Sequence, residues 1–234
     1  MQGDQLIQTY QNMQGMLAGF ETIINGENLL LLPQRALFWK ARASLILGDL
    51  HMGKDVHFRR QGIGIPETGV QDLERLSLLI QKYQASEVYL LGDVYHTKQP
   101  ETWAKVDRWV QEHPLVNFHI IRGNHDRGSL THTSQNIQVS DHPLRVGPFQ
   151  LQHEPPISSN PDTYVLSGHI HPCVTIVGKA RMKVTLPAFI FKIRYGILPA
   201  FGSFTGNAVV EVTKDDRVFA IANSQVLPVD SLSF

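Results

Sequence analysis

Val116-Asn117-Phe118-His119-Ile120-Ile121-Arg122-Gly123-Asn124-His125-Asp126 sets the architecture of this chain. Its first six residues form a mostly apolar, β-prone run, and the polar Gly123-Asn124-His125-Asp126 follows where such a strand would hand over to a loop. Two earlier stretches repeat the arrangement. Ala43 to Leu47 runs into Gly48-Asp49-Leu50-His51-Met52-Gly53, and Val88 to Leu91 runs into Gly92-Asp93. Between the strands, Glu67 to Tyr83 has the helical period, with Val70, Leu73, Leu76, Leu79, Ile80 and Tyr83 predicted on one face. Pro100 suits the first turn of a second helix, anchored by Trp103, Val106, Trp109 and Val110. Strand, helix, strand, helix, strand, each strand ending in a polar motif, predicts an α/β sheet with its ligands in the crevice at the strands' carboxyl ends.

Outward from this unit the pattern changes. Thr22 to Asn25 and Asn28 to Leu32 flank Gly26 and predict a hairpin, and Leu37 to Trp39 a further short strand. Leu144 to His153, Thr163 to Ser167, Val174 to Val177, Phe189 to Arg194, Ala208 to Val212 and Val218 to Ala222 read as strands punctuated by Pro and Gly. An α/β first half and a β-rich second half predict two packed sheets in one domain over residues 21–234. Residues 1–20, rich in Gln, Gly and Met, read as an extension outside the core. A length of 234 residues suits one sizeable domain.

Lys+Arg and Asp+Glu balance at 21 each, so no global basic field points to a polyanionic partner. The one cysteine, Cys173, precludes a disulfide or a thiolate metal cluster within one chain and suits a reducing cytoplasm. Residues 1–20 lack the charged start and apolar core of a signal peptide, and no apolar run approaches the ~20 residues of a membrane span. A soluble cytoplasmic protein with no membrane partner is expected.

The motifs themselves carry chemistry. The 11 histidines are many for this length, and several stand beside carboxylates at strand ends. Asp49 and His51, two apart, suit two ligands on one ion, on the expectation that alternate side chains of an extended segment share a side. Asp93 is the natural bridge, since a carboxylate has two oxygens. Asn124 and His153 serve the second ion, and His169 and His171 supply one imidazole to each. This oxygen and nitrogen set favours Mn, Fe or Zn, and Mg less so given four imidazoles. Two divalent ions ~3.5–4 Å apart bind a phosphoryl oxygen and lower the pKa of a bridging water, whose hydroxide attacks phosphorus in line with the leaving group. His125 would protonate that leaving oxygen, and Asp126 would hold the imidazole.

The ordered set Asp49-x-His51, Gly92-Asp93, Gly123-Asn124-His125-Asp126, His153 and Gly168-His169-Ile170-His171 resembles the calcineurin-like metallophosphoesterase superfamily over roughly residues 44–175. Gly48 to Lys54, His57-Phe58-Arg59-Arg60, His153-Glu154-Pro155, Gly168 to Pro172 and Leu198 to Gly206 are similar to the ligase-associated DNA damage response endonucleases (the PdeM family). The resemblance implies an α/β/β/α sandwich of two mixed sheets flanked by helices, and a Mn-dependent phosphodiesterase or endonuclease acting on DNA, with single strands the expected substrate. It also implies a functional association with an ATP-dependent DNA ligase and a helicase.

Other residues carry less. His96 stands where a His resembles the repair nucleases of the superfamily, and is read as near the scissile phosphate. Lys54, Arg59 and Arg60 follow the first motif and could meet a phosphate backbone. Among Lys179, Arg181, Lys183, Lys192 and Arg194, the interleaved Phe189 and Phe191 are expected in the core. Leu198 to Gly206 reads equally as a wall of the cleft or a tight core turn. Two rival functions stay open: a phosphodiesterase or pyrophosphatase for small phosphate esters, and a non-catalytic protein-binding scaffold.

Overall fold

The structure, a computed structural model, describes residues 19–60, 62, 64, 68–96, 100–126, 134–158, 162–177 and 182–229, less the side chains of His57, Arg59 and Arg60. The expected extension therefore falls almost wholly outside the described residues, as do Thr97, His132, Lys179 and Arg181.

The first sheet has seven strands lying side by side in chain order. They are β1 (Phe20–Ile24), β2 (Glu27–Leu32), β3 (Ala36–Trp39), β4 (Ser44–Leu47), β5 (Glu87–Leu90), β6 (Asn117–Ile121) and β7 (Ile137–Ser140). The first three junctions are antiparallel and the last three parallel, so β4, β5 and β6 end at the same edge. Helix α1 (Lys54–Arg60) and helix α2 (Thr68–Tyr83) connect β4 to β5, and α3 (Pro100–Gln111) connects β5 to β6.

The second half supplies β8 (Leu144–Val146), β9 (Phe149–Leu151), β10 (Tyr164–Ser167), β11 (Pro172–Val177), β12 (Lys183–Phe191), β13 (Tyr195–Ile197), β14 (Ala208–Val209), β15 (Arg217–Ala222) and β16 (Gln225–Val229). They form a second, mixed sheet in the order β14-β11-β12-β13-β10-β9-β8, with β15 and β16 added beside β12. Here β9 and β10 are parallel and end together.

Burial explains why the sheets stack. One face of the first sheet (Leu45, Leu47, Val88, Leu90, Phe118, Ile120) packs on Leu73, Leu76, Leu79 and Ile80 of α2 and Val106, Trp109 and Val110 of α3. Its other face (Leu29, Leu31, Leu37, Ile46, Tyr89) meets Phe149, Leu166, Phe189, Phe191 and Phe219 of the second sheet. Each such side chain contributes ~1.5–3 kcal/mol when fully buried. The outer face of the second sheet is covered by Val210 and Val212, which pack against Val174, Ile190 and Val218. All described helices lie between Lys40 and Gln111.

Two mixed sheets and a helical flank agree with expectation, and four details correct it. Leu144 to His153 is not one strand but a hairpin, turned at Gly147 with φ 56°. The strand read as beginning at Phe189 starts at Lys183, because Pro187 sits in it without breaking the pairing to β11. Val70 is 41% exposed, and its place on the buried face of α2 goes to Asp72, which is bonded across the fold. The strand expected over Ala208 to Val212 pairs only at Ala208–Val209.

Candidate metal centre

The edge where β4, β5 and β6 end faces the edge where β9 and β10 end. The segments leaving them bring two triads together: Asp49, His51 and His171, and Asp93, His153 and His169. Within each triad one ligating atom per residue lies within 4.8 Å of the others. The spacing-of-two motifs work differently from expectation. Asp49, His51, Asp93, His169 and His171 all have φ between 49° and 69°, so they sit in left-handed turns, not in extended backbone. Five of the eleven described non-glycine residues with positive φ are thus triad members. Such conformations cost of order 1–3 kcal/mol each and persist where the surroundings over-determine them.

Those surroundings are hydrogen bonds between the motifs. Asp49 Oδ2 accepts the His169 N–H at 2.8 Å, and Asp93 Oδ1 accepts the His125 N–H at 2.8 Å. The Asp49 and His51 N–H groups donate to the carbonyls of Gly92 and Asp93. Phe201 and Gly202 donate to the carbonyls of Gly48 and Asp49, tying in the Leu198–Gly206 segment. In that segment Phe201 is core, and Gly206 offers its carbonyl to His171 Nδ1 at 3.0 Å. The Leu91 carbonyl likewise lies 2.8 Å from His153 Nδ1. Carbonyls only accept, so each Nδ1 carries the proton and each Nε2 turns a lone pair inward. Gly168 lies against Asp49, where any Cβ would strike the Asp49 carboxylate.

The residues fit a divalent ion in each triad on an observation of their own. Asp49 Oδ1 is buried and accepts no hydrogen bond, although it lies 3.4 Å from His171 Nε2. A buried carboxylate oxygen left so is costly unless a cation satisfies it. Burial, with the charges of His171, Lys54, His125 and His96, pushes the pKa of His51 down to about 2, keeping it the neutral ligand a metal requires. Asp93 Oδ2 stands between the triads, 3.9 Å from His51 Nε2 and 3.5 Å from His153 Nε2.

Residues 44–171 match the model of the calcineurin-like phosphoesterase family. The chain belongs to that family. The phosphoesterase is also 33% identical to the nuclease MPE of Pseudomonas putida, with a TM-score of 0.76 over 90% of this chain and 100% of that one. YfcE, a phosphoesterase from E. coli, is 14% identical with a TM-score of 0.42, over 77% of this chain and 88% of its own. A search of curated proteins finds no match. The protein is a metal-dependent phosphoesterase, and its fold implies divalent metals for the two triads.

Asn124 sits on the exposed bend between Gly123 and His125. His125 reaches toward the centre: its Nε2 lies 4.0 Å from Asp93 Oδ2, and its ring centroid 5.4 Å from that of His51. The ring of His96 is 5.0 Å from His125 and 5.6 Å from His51, which places it beside the triads. Asp126 is not where the sequence put it. Its carboxylate accepts the backbone N–H of Gly123 at 2.9 Å, Tyr95 at 2.9 Å and Val94 at 3.3 Å, so it staples two motif loops instead of holding the His125 ring. Lys54 opens α1 with its N–H on the His51 carbonyl at 3.2 Å. Arg59 and Arg60 close α1, and their side chains lie outside the described residues.

Sequence reading missed the supports. Asp72, on α2, accepts from both the backbone N–H and the Oγ–H of Ser203, and pairs with Arg75 at 2.8 Å. Partners this far apart in the chain leave no local periodic signal. Among the described residues no helix is long and apolar enough to cross a membrane.

Proposed function

We propose that this phosphoesterase is a nuclease that hydrolyses phosphodiesters in DNA, single strands first, at the paired triads. The position of Asp93 Oδ2 carries the reading: it lies within 4.0 Å of an imidazole nitrogen from each triad and from His125. The likeness to a nuclease along 90% of the chain supports the substrate class. Asp49, His51 and His171 would hold one ion and Asp93, Asn124, His153 and His169 the other, with Asp93 shared. The oxygen and nitrogen set suits Mn, Fe or Zn, and the resemblance to the ligase-associated endonucleases puts Mn first. When bound, such ions polarise the phosphoryl oxygens and make water nucleophilic near neutral pH.

The chain's own residues do the remainder. His125, 48% exposed in its side chain and anchored to Asp93 by its backbone N–H, gives a proton from its ring to the departing oxygen. His96, one ring away, orients the phosphate. Asp126 keeps the Gly92–His96 and Gly123–Asp126 loops in register. Lys54, Arg59 and Arg60 on one short helix beside His51 offer charge to the phosphate backbone. The similarity to ligase-associated endonucleases supports a place in DNA repair in the cytoplasm, alongside an ATP-dependent DNA ligase and a helicase.

The test is cleavage of circular single-stranded DNA after chelation and Mn addition, beside a small chromogenic phosphodiester and with Asp93→Ala as control. Nicking of the circle by the wild type and not by the variant is expected. An intact circle with turnover of the small diester would move the substrate to small molecules. Metal binding without any hydrolysis would leave a scaffold.

A further inference from the structure

Among the described residues, two aromatic side chains meet beside the metal centre. Phe58 of α1 and Phe204 of the Leu198–Gly206 segment pack edge to face, with centroids 5.4 Å apart and planes at 83°. Both residues are partly exposed. Lys54 Nζ lies 6.0 Å from the Phe204 centroid, and Lys54 and Phe58 are four apart on one face of α1. The trio borders the metal centre at two points. The Lys54 N–H is on the His51 carbonyl, and Gly206, two residues from Phe204, holds His171 through its carbonyl.

We infer that Phe58 and Phe204 form a stacking platform for an unpaired nucleobase next to the scissile phosphate, with Lys54 meeting a neighbouring phosphate. The inference rests on the nuclease reading above and deepens it to the side chains that meet an unpaired base. A single strand exposes its base faces, which a duplex conceals within its own stack, and aromatic rings beside a cation are what accept them. Such a platform tolerates any base, because every base has a π face. Lys54 supplies the charge that the adjoining phosphate needs.

The experiment compares a single-stranded oligonucleotide with one of the same length carrying abasic residues, in wild type, Phe58→Leu, Phe204→Leu and Phe204→Trp. Wild type should show a KM roughly tenfold lower for the base-bearing strand, and each Leu variant should lose that preference. Phe204→Trp should keep the preference, and its fluorescence should be quenched by the base-bearing strand alone. A Leu variant that folds and binds metal yet retains the wild-type preference would overturn the platform while leaving the nuclease intact. Wild type that cuts neither strand would remove the nuclease reading, and the platform with it. Quenching of Phe204→Trp by both strands alike would also overturn it, since contact would then be with the backbone.

Discussion

His51 Nε2 and His171 Nε2 face each other at 3.3 Å from opposite sheets of the molecule. The Gly206 carbonyl fixes the proton of His171 on Nδ1, so its Nε2 lone pair points at His51, with the bare Asp49 Oδ1 beside it at 3.4 Å. The His171 lone pair and a bare carboxylate oxygen meet at one point, which a cation stabilises. The protein should therefore bind two divalent ions per chain and be stabilised by them. At a free Mn concentration 100 times Kd the gain is about 2.7 kcal/mol per site. Chelation should lower the Tm, and Asp93→Ala should weaken both sites at once, because Asp93 Oδ2 lies against both triads. Thermal melts and metal analysis of the two proteins decide it. A variant that loses one ion cleanly would take away the bridging role.

His125 differs from the six triad residues in its exposure. His125→Ala should keep its metal content and lose about 10²–10⁴ in kcat, the usual worth of a positioned proton donor. The loss should depend on the leaving group. An alkoxide-like sugar oxygen needs the proton far more than a nitrophenolate does, so turnover of the chromogenic diester should fall least. Equal losses on both substrates would remove the acid role.

The two triads were legible in the sequence because their residues stand in short motifs whose identities alone pair oxygen and nitrogen donors at strand ends. The sheets were legible too, since β4, β5 and β6 are apolar runs cut off by glycine. What the sequence concealed was conformation and long-range support. Asp49 and His51 come together in one triad through left-handed turns, and no local pattern distinguishes that from alternation along a strand. Helix α1, seven mostly polar residues, is too short to show a period. Asp126 looked like the partner of its neighbour His125, whereas its hydrogen bonds cross to Val94 and Tyr95 on another loop.

That placement of Asp126 makes a separate prediction. The side chain is buried and satisfies three backbone donors. Asp126→Ala should cost about 1–3 kcal/mol for each donor stranded without water, seen as a lower midpoint in urea unfolding. Its activity should fall through disordered metal binding and recover partly at high Mn. A variant of full stability with a pure loss of kcat would return Asp126 to the role of holding the imidazole.

Gly92 and Gly26 share a backbone conformation, φ 83° and 85°, in different surroundings. A Cβ at Gly26 meets nothing within 4 Å, so Gly26→Ala should cost only the ~1–2 kcal/mol of a left-handed alanine. A Cβ at Gly92 would strike the His153 imidazole. Gly92→Ala should cost more than Gly26→Ala and should also weaken metal binding. Equal costs and equal metal affinities would show that His153 yields without consequence.

Arg75 supports the centre from the far side of the Leu198–Gly206 segment. It pairs with buried Asp72 at 2.8 Å, donates to Ser203 Oγ at 2.9 Å and to the Phe201 carbonyl, and lies 4.2 Å from the Phe201 ring centroid. Removing it leaves Asp72 buried beside one partner, Ser203, where losing one member of a buried pair typically costs ~3–5 kcal/mol. With 27% of the Arg75 side chain exposed, water offsets part of that, and about 2–3 kcal/mol is expected for Arg75→Ala. The segment it secures also carries Gly206, which orients His171, so the variant should bind the Asp49-side ion more weakly than the Asp93-side ion. Stepwise Mn titration reads the two affinities apart. A uniform drop in stability with both affinities unchanged would make Arg75 a core residue with no hand in the metal centre.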